Sequence, residues 1–262
     1  QKIMKTNQIN YIPILNSAKK IVKIISSNDT DQPLKIKNLF IIMAGGKGKR
    51  LMPLTKEIPK PMIKISDKPI IERLILNARN EGFRNFNLTV NYLADRIIEY
   101  FKDGKGLDIK INYSREKKPL GTAGPLSKIK KHFNLPIVVT NGDIVNDVKF
   151  SKILEFHKSN KADMTVATGI HELTNPYGVI EFNGLNIKKI VEKPITKSFI
   201  NAGIYVINSK LLSYLKKNTY LDMPNFISSL IHKKKKIIMY PLHESWVDIG
   251  TLEQLNKALK NK

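Results

Sequence analysis

Five consecutive apolar residues, LFIIM at 39–43, run straight into Ala44-Gly45-Gly46-Lys47-Gly48-Lys49-Arg50. A short apolar run bounded by glycines fits a buried strand, the kind found inside a parallel sheet. Three glycines and three cations then fall within seven residues. Glycines let the backbone approach a ligand closely and turn its N–H groups toward it. Cations beside such a loop suit a polyphosphate. One more, Lys60, is held between Pro59 and Pro61. The stretch from 39 to 62 therefore predicts a nucleoside-triphosphate site.

From residue 39 onward, strand and helix patterns alternate, which predicts an α/β fold with a mostly parallel sheet flanked by helices. Strands are expected at 39–43, 85–90, 109–113, 136–140 and 164–167. Helices are expected from Pro69 to about Gly82, at 93–101, at 123–133 and at 150–158, with Ser151 as an N-cap candidate for the last. The rhythm then changes. Segments 179–182, 187–192 and 200–207 lie close together with turns between them, predicting a small antiparallel insertion. Short helices at 210–215 and 224–233, strands at 237–240 and 246–247, and a helix at 252–259 complete the chain.

The chain's 262 residues, 42% of them hydrophobic, can bury a sizeable core. No apolar run approaches the roughly 18–20 residues of a membrane span, and no secretory signal is legible at the start. With no cysteine, disulfides and thiolate metal sites are excluded, which fits a cytoplasmic protein. The net charge of +23 invites a nucleic-acid partner. Against that, the excess is nearly all lysine spread along the chain, whereas base-edge readers lean on arginine; no nucleic acid and no membrane are expected as partners. The run 233–236, KKKK, reads as a solvated helix end. The five histidines show no metal-ligand spacing.

Two common phosphate motifs fail on the glycine loop. The dinucleotide fingerprint G-x-G-x-x-G needs glycine where Leu51 stands, and Walker A needs Ser or Thr where Arg50 follows Gly48-Lys49. What the stretch does resemble is the signature of the sugar-1-phosphate nucleotidyltransferases: [LM]-A-G-G-x-G-T-R-L-x-P-L-T after an apolar strand, then P-K-P-M. Here MAGGKGKRLMPLT and PKPM match it except at Lys49, where threonine is usual. The similarity continues to about Ala258 and implies a Rossmann-like sheet with an antiparallel sugar-binding insertion, in a domain spanning 39–262.

The resemblance gives roles to the other motifs. Ala44, Gly45, Gly46 and Gly48 would hold the nucleotide, with Arg50 and Lys60 on its triphosphate. Gly121, Thr122 and Gly124, in a PLGTAGPL block most similar to guanylyltransferases, would line the base, favouring GTP. An aspartate at the end of a buried strand can reach a magnesium ion on the phosphates; the family uses the positions of Asp143 and Asp248 as Mg²⁺ ligands. Gly178, Glu192 and Asn201 would meet the sugar, and Lys193 its phosphate. Trp246 reads as packing.

Residues 1–38 form a separate segment, with the end of a helix at 1–9, strands at 11–15 and 21–25, and a linker at 26–33. It resembles the back half of a cystathionine-β-synthase (CBS) module as closely as it fits an ordinary hairpin. That combination resembles guanylyltransferases acting on glucosamine-1-phosphate for legionaminic-type surface glycans; mannose-1-phosphate and glucose-1-phosphate stay open. The reaction expected is attack of the sugar phosphate on the α-phosphorus of the triphosphate, with loss of pyrophosphate. A cytidylyltransferase and a catalytically degenerate regulatory subunit are the alternatives. A homo-oligomer is compatible with the sequence, which does not fix the oligomeric state.

Overall fold

The computed structural model describes residues 2–26, 35–129 and 134–260. The expected linker at 26–33 lies almost wholly outside them. A helix, α1 (Lys2–Asn7), precedes two antiparallel strands, β1 (Tyr11–Leu15) and β2 (Ile21–Ser26). Asn16 closes their turn, its Oδ1 accepting the N–H groups of Ala18 and Lys20 at 3.0 Å each.

The main body starts at β3 (Ile36–Met43), three residues before the expected start at 39. Next come a two-strand ribbon, β4 (Lys64–Ile65) and β5 (Lys68–Pro69), then α2 (Ile70–Asn80), β6 (Phe83–Val90), α3 (Ala94–Phe101) and β7 (Lys110–Arg115). After β8 (Ile137–Asn141) and β9 (Ile144–Asn146) come α4 (Phe150–Ser159), β10 (Met164–Thr174), β11 (Val179–Asn183), β12 (Asn186–Val191) and β13 (Ile195–Ile207). The chain ends with α5 (Met223–His232), β14 (Ile237–Pro241), β15 (Trp246–Asp248) and α6 (Leu252–Lys260).

Seven strands form one sheet in the order β14-β10-β13-β8-β3-β6-β7. All neighbours run parallel except at β13, which is antiparallel to both β10 and β8. The centre of β3 is apolar at every position because it is buried on both sides. Phe40 and Ile42 enter one core with Ile71, Ile75, Phe86 and Phe150. Leu39 and Ile41 enter the other with Leu126, Val139, Phe226 and Leu230. Successive strand side chains point to opposite faces, so one pentad ties both helical layers to the sheet. Each such fully buried side chain contributes about 1.5–3 kcal/mol. Phe40 meets Phe83, Phe86 and Phe150 with ring centroids 5.1, 5.3 and 4.9 Å away.

Three local expectations are corrected. The helix expected at 123–133 is a 3-10 turn, Gly124–Lys128, ending at an extended Ile129; 130–133 lie outside the described residues. The Ile129 N–H closes back on the Leu126 carbonyl at 3.1 Å, an i to i−3 bond that tightens the turn just before the chain extends. The helix expected at 210–215 is likewise a 3-10 turn, Ser209–Tyr214. Ser151 is not the N-cap of α4; Lys149 is, and the carboxylate of Glu81 accepts the N–H groups of Phe150 and Ser151 instead. A side chain from α2's C-terminal end thus does the capping.

Beyond residue 168, β10 and the first half of β13 leave the sheet as a two-stranded arm, topped by the β11–β12 hairpin. Their edges there are free of β14 and β8. This is the expected antiparallel insertion, longer than the pattern predicted.

Candidate active site

The strand order places the C-terminal ends of β3 and β8 side by side, and loops leaving there line a cavity of ≈ 300 Å³. Ligands collect at such strand ends in open α/β sheets. One wall is the glycine loop, Ala44 to Lys47. Opposite are Pro119 to Thr122 with Tyr220, and at the floor lie Lys60, Asn141, Asp143 and Glu116. Gly46 has nothing within 4 Å of where a Cβ would stand, so its backbone faces open space. Gly48, with φ +61°, turns the chain into a 3-10 turn, Lys49–Leu51, while its carbonyl accepts the hydroxyl of Thr55 at 2.9 Å.

The chain just after the glycines is anchored from beneath. Leu51, Ile63, Ile65 and Ile70 share a small core with Ile249, Leu255 and Ala258. That packing draws the Arg50–Lys60 segment to the end of β15. The guanidinium of Arg50 lies against Gly250, where an added Cβ would stand 3.3 Å from its nearest nitrogen. Lys60 is 8% exposed. Its ammonium donates to Oδ2 of Asp143 and stands 3.8 Å from Oδ1 of Asp248.

The two aspartates meet because β9 pairs with β15, Asp248 opposite Ile144, and Ile249 N–H donates to the Asp143 carbonyl at 3.1 Å. Burial, reinforced by the Asp143 charge, pushes the Asp248 carboxyl up, against the pull of Lys60 and Arg50. Oδ1 of each aspartate is buried with no hydrogen-bond partner. Two hard, unsatisfied carboxylate oxygens beside a triphosphate cavity fit a divalent cation. Among the described residues no group of three or more His, Asp or Glu gathers anywhere.

The structure separates the remaining expected residues. Gly121 and Thr122 line the cavity, whereas Gly124 is buried behind them. Gly178, Glu192 and Lys193 lie on the arm, away from the cavity lining, with Oε2 of Glu192 2.9 Å from where a Cβ on Gly178 would stand. Asn201 sits at the arm's base, its Oδ1 accepting Gly203 N–H at 3.0 Å. Gly203 in turn abuts Asn141, leaving 2.5 Å between a hypothetical Cβ and Nδ2. Trp246 donates from Nε1 to the Ala202 carbonyl at 2.8 Å and packs on the core, as expected. Lys49 is exposed, and nothing in its surroundings explains a lysine there.

Sequence reasoning missed Glu116. It is 8% exposed, at the end of β7, and Oε2 accepts Leu120 N–H at 2.9 Å. A Cβ on Gly45 would stand 2.7 Å from Oε1, so that glycine makes room for the carboxylate. Burial raises its carboxyl; the Leu120 N–H and Lys128 oppose this.

Comparison with known proteins identifies the family. The family model described as nucleotidyl transferase matches residues 39–262. The chain belongs to the nucleotidyl transferase family. A mannose-1-phosphate guanyltransferase of Pichia angusta is 35% identical over 222 residues, covering 80% of this chain and 60% of the relative. The chain thus spans about 60% of the length of the curated relatives it matches. The crystal structure of HddC from Yersinia pseudotuberculosis superimposes with a TM-score of 0.66 at 27% identity, covering 86% of this chain and 99% of that one. The same protein complexed with GMP-PN gives 0.66 at 25%, with the same coverage. The mixed sheet is the fold shared with HddC. No helix among the described residues is long and apolar enough to cross a membrane.

Proposed function

We propose that this chain transfers GMP from GTP to a hexose-1-phosphate, releasing pyrophosphate and forming a GDP-sugar. The observation that carries the nucleotide choice is Glu116. An ionised carboxylate only accepts hydrogen bonds. Guanine alone of the four common bases offers two adjacent donor groups, N1–H and N2–H₂, on its pairing edge. A buried carboxylate lining the cavity can accept from both donors of that edge, whereas an adenine edge offers it one donor, N6–H₂, beside an acceptor, N1. GMP-PN in the HddC complex is a nucleotide of the same base.

The chemistry needs no strong base, since the attacking sugar-phosphate oxygen is already an anion. It attacks the α-phosphorus in line, the α–β bridging bond breaks, and pyrophosphate carries away the electron pair. The protein supplies alignment and neutralisation of charge. The N–H groups of the glycine loop cradle phosphate, and Arg50 and Lys60 offset its charge. Mg²⁺ on Asp143 and Asp248, when bound, draws charge from the phosphate oxygens. Lys60, which donates to Asp143 here, would with those carboxylates engaged be free to hold a phosphate oxygen. Lys193 on the arm takes the sugar phosphate, with Gly178, Glu192 and Asn201 toward the sugar. We place the reaction in the cytoplasm.

Mannose-1-phosphate, the substrate named in the relatives, is the first candidate. Glucosamine-1-phosphate, and with it a role in legionaminic-type glycans, is the second, on the CBS-like character of residues 1–38. Pyrophosphate release measured with Mg²⁺ over four nucleoside triphosphates and mannose-, glucosamine- and glucose-1-phosphate tests the reading. GTP with one hexose-1-phosphate should dominate, and Glu116→Gln should lower kcat/KM for GTP by about 10- to 100-fold, the range for losing a charged hydrogen-bond partner. Nucleotide binding with no pyrophosphate from any pair would overturn the enzyme and leave a regulatory subunit.

A further inference from the structure

The two glycines of the 119–126 block have protein pressed against the side where a Cβ would stand. A Cβ on Gly121, which has φ +77°, would stand 2.6 Å from the Leu221 carbonyl, and one on Gly124 would stand 2.5 Å from the Thr219 carbonyl. They are glycines because another stretch of chain, 219–223, lies against them. The Leu221 carbonyl accepts the N–H groups of Ala123 and Gly124 at 2.9 and 3.0 Å, and Leu221 N–H donates to the Leu120 carbonyl at 2.9 Å.

Side chains close the same seam. Asp222 stands at the N-cap of α5 yet does not cap that helix with its own side chain. Oδ1 accepts Thr122 N–H at 3.1 Å, while Thr122 Oγ1 accepts Met223 N–H at 2.7 Å. Oδ2 accepts the phenol of Tyr220 at 2.8 Å. Tyr220 lines the cavity and is 61% exposed. Its ring is tethered at the phenol end and stands largely exposed beside the cavity. A large aromatic held in this way at a ligand cavity has the form of a stacking platform, since every base offers a π-face.

We propose that Tyr220 stacks on the nucleobase whose edge Glu116 reads, and that Asp222 is the positioning residue that fixes the ring and the 119–124 loop together. The proposal rests on the reading of the cavity as a GTP site and adds the residue that grips the base from its face.

Titration calorimetry with GTP and with inorganic tripolyphosphate, which has no base, separates a stacking role from a structural one. In Tyr220→Ala, the GTP dissociation constant should rise about 5- to 100-fold, the range for one lost base–aromatic contact. Tripolyphosphate binding should stay within about twofold of wild type, since its contacts are electrostatic and leave the ring untouched. Tyr220→Trp should restore GTP binding. In turnover with mannose-1-phosphate, Tyr220→Ala and Asp222→Asn should raise KM for GTP and leave kcat within about twofold, as for loss of uniform binding. Unchanged GTP binding in Tyr220→Ala, or equal loss of GTP and tripolyphosphate, would overturn the stacking role while the GTP reading stands. Wild-type protein that binds tripolyphosphate but gains nothing from the guanosine would overturn both.

Discussion

His157 gives the fold a pH dependence that can be worked out in advance. It lies on α4, 2% exposed, with Nδ1 3.0 Å from the hydroxyl of Thr165 on β10. Desolvation is the larger cause of a pKa pulled down to about 4, with Lys158 adding to it and Asp163 opposing. An unfolded histidine titrates near 6.5. Between those values the unfolded chain binds a proton that the folded chain refuses, so stability falls as pH falls. The full span is worth about 3 kcal/mol, of which about 2 kcal/mol is lost between pH 7 and pH 5. For a chain of this size that corresponds to roughly 4–8 °C in Tm. Urea unfolding of wild type and His157→Asn at pH 7, 6 and 5 measures it, because other titrating groups cancel between the two proteins. Asn can still bond Thr165 but does not titrate, so its stability should fall by about 2 kcal/mol less over that range. Parallel curves for the two proteins would refute the argument.

Asp143→Ala and Arg50→Ala should each lower turnover by about 10²-fold or more, as expected for groups that offset transition-state charge, while melting near wild type; full activity in either would reject the site. Gly121→Ala meets both a positive φ and the Leu221 carbonyl, so it should cost about 1–3 kcal/mol, read as a lower urea midpoint, and weaken GTP binding. A midpoint equal to wild type would show that the seam yields.

Much of the sheet was legible because burial on both faces writes itself as unbroken apolar runs. The pentad at 39–43 and the run at 137–139 are of this kind. The arm was only half legible. The outer parts of β10 and β13, HELT and ITKSF, carry exposed charged and apolar residues in no order a two-sided core would impose. Glu116 was hidden for a different reason. It sits among Arg115, Lys117 and Lys118, which read as surface, and its burial comes from Gly45 and Leu120, distant or irregular neighbours. The glycines at 121 and 124 were legible as close-approach positions, but not what approaches them. A glycine records that space is needed there; the occupant is set by the tertiary fold.

The seam between 119–124 and 219–223 also sets an order of assembly. Thr122 finds Asp222 and Met223 across 100 and 101 residues. Loop closure over that span is entropically costly and slows folding. β3, β6 and β7 can pair early, since their partners are nearby in sequence, but the cavity's second wall waits for nearly the whole chain. Any nascent or truncated form ending before residue 219 would carry the glycine loop and 119–122 without Tyr220 or the seam that fixes them. Nucleotide added during refolding should therefore bind late, with the final docking of residues 219–223.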